Sequence, residues 1–162
     1  MNSLQPLMTL LEQSERERDE AWADAQRAVQ AQQAAQAQAE QLLTYRREYE
    51  QRWSAQFRTE ARIELLHCYR GFMDRLTQAV DQQGHIAAHA GTQADRARAK
   101  LAEHEMRVAS VRKLIERRSH ELRLAADRQE QKQTDEFASR AGWGRSGTAH
   151  GNAADSGLPH AA

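Results

Sequence analysis

The stretch "LHCYRGFMDRLTQAVDQQGHIAAHAGTQADRARAKLAEHEMRVASVRKLIERRSHELRLAA", Leu66–Ala126, decides the fold. Steps of alternately three and four residues from Leu66 meet Tyr69, Met73, Leu76, Val80, Gln83, Ala87, Ala90, Ala94, Ala97, Leu101, His104, Val108, Val111, Ile115, Arg118, Leu122 and Ala125. Only Gln83, His104 and Arg118 interrupt the apolar run. A repeat of 3.5 residues held over this length keeps one stripe facing one partner helix, the pattern of a left-handed coiled-coil seam. The intervening Arg, Glu, Gln and Asp suit a solvated face.

Upstream, a second helix with a broader, weaker stripe is expected. It runs through Met8, Leu11, Trp22, Ala25, Val29, Ala39 and Leu43, beside a shifted row of Ala28, Ala35, Leu42 and Tyr49. Proline is absent between Leu7 and Leu158, and the only glycines between Leu7 and Ala141 are Gly71, Gly84 and Gly91. Little therefore interrupts a helix over the body of the chain. Alanine recurs on both stripes, and small residues facing each other let two backbones approach closely.

These patterns predict an all-α fold, a long antiparallel two-helix coiled-coil hairpin over residues 1–140. Helix one is expected over about 3–57, the turn at about 58–62 and helix two over about 63–139. At 1.5 Å per residue the helices would be roughly 80 Å and 115 Å long, so helix two should overhang. The segment "AGWGRSGTAHGNAADSGLPHAA", 141–162, holds five of the eight glycines and has too little apolar surface to offset its ordering entropy. It is expected to be a disordered tail.

Composition narrows the function. Mean hydropathy is −0.89, and Lys plus Arg equals Asp plus Glu at 23 each, leaving no basic excess for displacing nucleic-acid counterions. The single cysteine, Cys68, cannot form an internal disulfide and reads as a reduced, inert residue flanking the seam. No apolar run reaches transmembrane length and the start lacks a secretory leader pattern, so a soluble cytoplasmic chain is expected. His85 and His89 have the i, i+4 spacing of a zinc pair, but no glutamate lies between them and no third ligand is evident, so exposed histidines are the better reading. Phosphate loops and nucleophile constellations are also missing. The chain is expected to be non-enzymatic, with no cofactor, metal or small-molecule substrate.

One local feature stands apart. Six of the nine aromatic residues, Tyr45, Tyr49, Trp53, Phe57, Tyr69 and Phe72, fall between residues 45 and 72. Gln38, Leu42, Tyr45 and Tyr49 are spaced four, three, four, as are Phe72, Leu76, Ala79 and Gln83. Paired in reverse, 38 with 83, 42 with 79, 45 with 76 and 49 with 72, the two rows would lie at matching heights on a hairpin. Either they pack on each other as core or they form a half-exposed patch, for which tyrosine's polar end is suited.

Three blocks, "LLTYRREYEQRW" (42–53), "LHCYRGFMDRLTQAVDQQ" (66–83) and "RQEQKQTDEFASR" (128–140), resemble in order and interval those of the flagellar export protein FliJ family. The first carries Tyr45, Arg46, Glu48 and Tyr49. The second carries Tyr69, Phe72, Leu76, Ala79, Gln82 and Gln83, and the third Glu130, Gln131, Lys132, Asp135 and Glu136. The resemblance covers about residues 4–140, and "FRTEAR" lacks the glycine often found near the family's turn.

The resemblance implies a coiled coil similar to the central stalk, the gamma subunit, of rotary ATPases. It implies a component of the flagellar type III export apparatus that binds the export ATPase FliI and the export-gate protein FlhA and assists export chaperones. Gln38, Leu42, Tyr45, Tyr49, Phe72, Leu76, Ala79 and Gln83 match the family's partner-binding surface. The free chain is expected to be a monomer, and in the cell peripherally associated with the inner membrane at the flagellar base. The alternatives are the stalk of a virulence type III secretion system and a homodimeric coiled-coil scaffold.

Overall fold

The computed structural model describes residues 4–146. They form two helices, α1 (Gln5–Thr59, 55 residues) and α2 (Ile63–Ser146, 84 residues), packed as an all-α hairpin with no strand among the described residues. The expected tail overlaps α2 as far as Ser146, while 147–162 lie outside the described residues. No helix among the described residues is long and apolar enough to cross a membrane.

The chain divides into two units, Gln5–Arg112 and Met1–Leu4 with Lys113–Ala162. In the first, every α2 seam position from Tyr69 to Val111 is buried or half-buried, and Ala94 is fully enclosed at 0% exposure. Leu66, expected on that seam, is exposed, and its neighbour Leu65, one residue nearer the turn, is half-buried instead.

The α1 seam is more regular than its sequence stripe. Leu7, Leu11, Ser14, Arg18, Ala21, Ala25, Ala28, Gln32, Ala35, Ala39, Leu42, Arg46, Tyr49 and Trp53 alternate steps of four and three, and every one is buried or half-buried. The shifted row of Ala28, Ala35, Leu42 and Tyr49 is therefore seam. Met8, Trp22 and Leu43 are exposed instead, Trp22 at 55%. Polar residues at Ser14, Arg18, Gln32 and Arg46 hide this seam from an apolar count. Arg18, Gln32 and Arg46 are tolerated there because long side chains can bury their stems while their heads reach water, whereas Ser14 is small enough to sit enclosed at 2% exposure.

Cross-helix contacts fix the antiparallel pairing. Glu15 Oε1 accepts from Arg112 Nη2 at 2.8 Å, and Glu17 Oε2 from Arg107 Nη1 at 3.1 Å. These pairs are partly or largely exposed, so each contributes at most about 1 kcal/mol and marks register more than it holds the fold. At Gly91 an added Cβ would lie 3.3 Å from Gln32 Nε2, so glycine there gives the α1 glutamine room against the α2 backbone.

The turn occupies residues 60–62. It needs no glycine, since no described residue has a positive φ. Thr59 Oγ1 donates to the Gln56 carbonyl at 2.9 Å and the Glu60 N–H donates to the same oxygen at 2.9 Å, closing α1. The Leu66 N–H donates to the Arg62 carbonyl at 3.1 Å, opening α2, while Arg62 Nε pairs with Glu60 Oε1 at 2.9 Å across the bend.

In the second unit, the α2 residues 121–145 are all exposed, including Leu122, Leu124 and Phe137. Arg118, placed on the seam by its spacing, is exposed as well.

Candidate partner-binding site

The aromatic residues close the hairpin end as a ladder across both helices. Tyr49 stacks on Tyr45 at 6.0 Å along α1 and meets Phe72 at 4.3 Å and Tyr69 at 6.3 Å across to α2. Trp53 and Phe57 each meet Tyr69, at 5.7 Å and 5.4 Å. Such pairs contribute about 0.5–1.5 kcal/mol each beyond area burial. They stiffen the end where alanine is scarce and the seam would otherwise be thin.

The reversed rows hold at their two ends. Tyr49 and Phe72 are in ring contact, and Gln83 Nε2 donates to Gln38 Oε1 at 3.2 Å. Gln83 Nε2 also donates to the Ala35 carbonyl at 3.2 Å. The eight candidate residues are not equally available. Leu76 is 7% exposed and belongs to the core; Leu42, Tyr49, Phe72, Ala79 and Gln83 are half-buried; Gln38 and Tyr45 are exposed, Tyr45 at 45%. Thus the rows are core along one edge and surface along the other.

The surface edge opens into a shallow, open groove. Leu42 and Tyr45 supply its apolar shelf, Gln38 and Gln83 its polar end, and Glu40 and Glu48 its only charged liners. Glu40, Thr44 and Glu48 recur every fourth residue, so they line one helical edge of it. Glu40 is not singled out by the sequence, and Glu48 only as part of the first family-like block; both become groove candidates once Tyr45 is seen to face outward.

Other candidates separate from this site. Glu130, Gln131, Lys132, Asp135 and Glu136 lie exposed on α2; all but Glu130 line a shallow depression with Arg128, Ser139 and Arg140, where Gln131 Nε2 donates to Asp135 Oδ1 at 3.1 Å. His85 and His89 are exposed beside Ile86 and Asp81. No group of three or more His, Cys, Asp or Glu suited to a metal ion occurs among the described residues. Cys68 is exposed, not packed against the seam, because its position faces away from α1.

These features define a helical-hairpin protein, an antiparallel two-helix coiled coil closed by an aromatic ladder, with an open groove lined by α1 and by Gln83 of α2. A family model described as Flagellar FliJ protein matches residues 3–147, and the chain belongs to that family. Membership implies a component of the flagellar, type III export apparatus, in a family of non-enzymatic, stalk-type export proteins. Neither a curated protein nor a solved structure matches the chain.

Proposed function

We propose that the chain is a non-enzymatic stalk that links the export ATPase ring, formed by FliI, to the export-gate protein FlhA, and that it assists the handling of export chaperones. It acts in the cytoplasm at the flagellar base, peripherally associated with the inner membrane, and is monomeric when free. ATP hydrolysis takes place in the ATPase. A coiled coil suits the task because its two helices brace each other and hold the residues of the patch in place.

The observation that carries this reading is the patch lined by both helices, where exposed Gln38 and Tyr45 and the half-buried Leu42 of α1 meet Gln83 of α2. Its apolar centre and polar rim are the features of a protein contact surface. The C-terminal block from Glu130 to Glu136 is the second contact surface in this proposal, since it is exposed and remote in sequence from the patch.

The test is capture of FliI and of the cytoplasmic domain of FlhA by the intact chain and by Leu42→Ala with Tyr45→Ala. Loss of gate capture with retained ATPase capture and retained helicity supports the proposal. Capture unchanged by both substitutions would remove the patch from the function, and absence of both partners would remove the function itself.

A further inference from the structure

The polar end of the patch has a direction. Gln83 Nε2 lies 3.2 Å from the Ala35 carbonyl oxygen and 3.2 Å from Gln38 Oε1. A main-chain carbonyl only accepts, so the group that Gln83 turns toward α1 must be its NH2, whichever way an amide is drawn. The same nitrogen reaches Gln38, so Gln38 turns its oxygen inward. The Gln38 NH2 is then left facing away from α2, on an exposed side chain at the rim of the groove.

Resting on the partner-binding reading above, we infer that Gln83 is a positioning residue that holds the Gln38 amide as an outward hydrogen-bond donor. The groove accordingly takes a partner segment that sets an apolar side chain on Leu42 and Tyr45 and a main-chain carbonyl on Gln38. A carboxylate is the poorer acceptor here, because Glu40 and Glu48 line the same groove and, among the described residues, neither makes an ion pair. A donor placed among acceptors gives the site polarity, and a segment docked in reverse would face its own N–H toward the Gln38 donor.

The experiment measures binding of the intact chain to the cytoplasmic domain of FlhA by calorimetry, with side-chain amide exchange recorded by NMR on the free chain. Gln38→Glu keeps an oxygen toward Gln83 and places a second oxygen where the outward donor was; binding about tenfold weaker is expected. Gln83→Met removes the group that orients Gln38; binding about threefold weaker is expected, and in that background Gln38→Met adds little further loss. In the free chain the Gln83 amide protons exchange with water more slowly than those of Gln38.

Binding that depends on Tyr45 but is indifferent to Gln38→Glu overturns this inference alone, as does the reverse order of amide exchange. Affinity that rises steeply with salt signals a carboxylate relieved of repulsion by Glu40 and Glu48 and overturns the choice of a carbonyl. If the unaltered chain does not bind the gate domain, the partner-binding reading falls and this inference with it.

Discussion

Leu76 and Tyr45 stand on the same two rows and do opposite work. Leu76 is nearly enclosed, so Leu76→Ala leaves a void in a narrow core and should lower the unfolding free energy by about 2–4 kcal/mol, read by urea melts followed at 222 nm. Tyr45 is 45% exposed with one stacking partner, Tyr49. Tyr45→Ala should therefore change stability by less than about 1 kcal/mol while weakening gate binding. A large loss of stability from Tyr45→Ala would make it a core residue. Sequence spacing put both residues on the paired rows but could not grade them, because tyrosine and leucine occupy seam and rim alike. Trp22 shows the same blindness from the other side: its place on the expected stripe suggested a seam filler, yet the α1 seam passes through Ala21 and Ala25 and leaves Trp22 outside. Trp22→Ala is expected to shift the urea midpoint by no more than about 0.5 kcal/mol equivalent.

For the helices, the α2 seam was legible because its alternation is nearly all apolar, whereas the α1 seam shares the alternation with Ser14, Arg18, Gln32 and Arg46. Applying the α2 step pattern from Leu7 recovers it in full, so the information was present in spacing and masked by residue type. The turn was harder to place. Residues 60–62 bend without glycine, proline or positive φ, held by ordinary caps and the Glu60–Arg62 pair, features that sequence composition does not announce. Glycine within α2 gives the corresponding prediction. A Cβ at Gly71 or Gly84 would meet nothing within 4 Å. Gly71→Ala and Gly84→Ala should each stabilise the helix by about 0.5–1 kcal/mol, seen as a higher thermal midpoint. Gly91→Ala should give less, since Gln32 would have to yield. At the opposite extreme Ala94 is fully enclosed, and Ala94→Leu should destabilise by about 1–3 kcal/mol through overpacking. A neutral Ala94→Leu would mean that the alanine seam is looser than its burial indicates.

For the whole chain, the pairing of polar residues on and beside the seam argues for a hairpin closed within one molecule. Gln83 finds its acceptors at Ala35 and Gln38, Gln32 finds space at Gly91, and Glu15 and Glu17 find Arg112 and Arg107. An in-register parallel dimer would instead oppose each helix to its own copy, taking Glu15 and Glu17 away from Arg112 and Arg107 and setting Gln32 against Gln32. That arrangement loses every one of these complementary pairs. The connection between the helices is short, so closure within the chain costs little entropy compared with association of two chains at micromolar concentration. The expected result is a single species near 18.4 kDa by size exclusion with light scattering. Its thermal midpoint should be unchanged across about a hundredfold range of concentration, because a folded monomer gains nothing from mass action. The midpoint should also fall little in 1 M salt, since the cross-helix ion pairs are exposed and weak. A mass near twice that value, with a midpoint that climbs with concentration, would show that the seam is made between chains and would leave a homodimeric scaffold as the correct architecture.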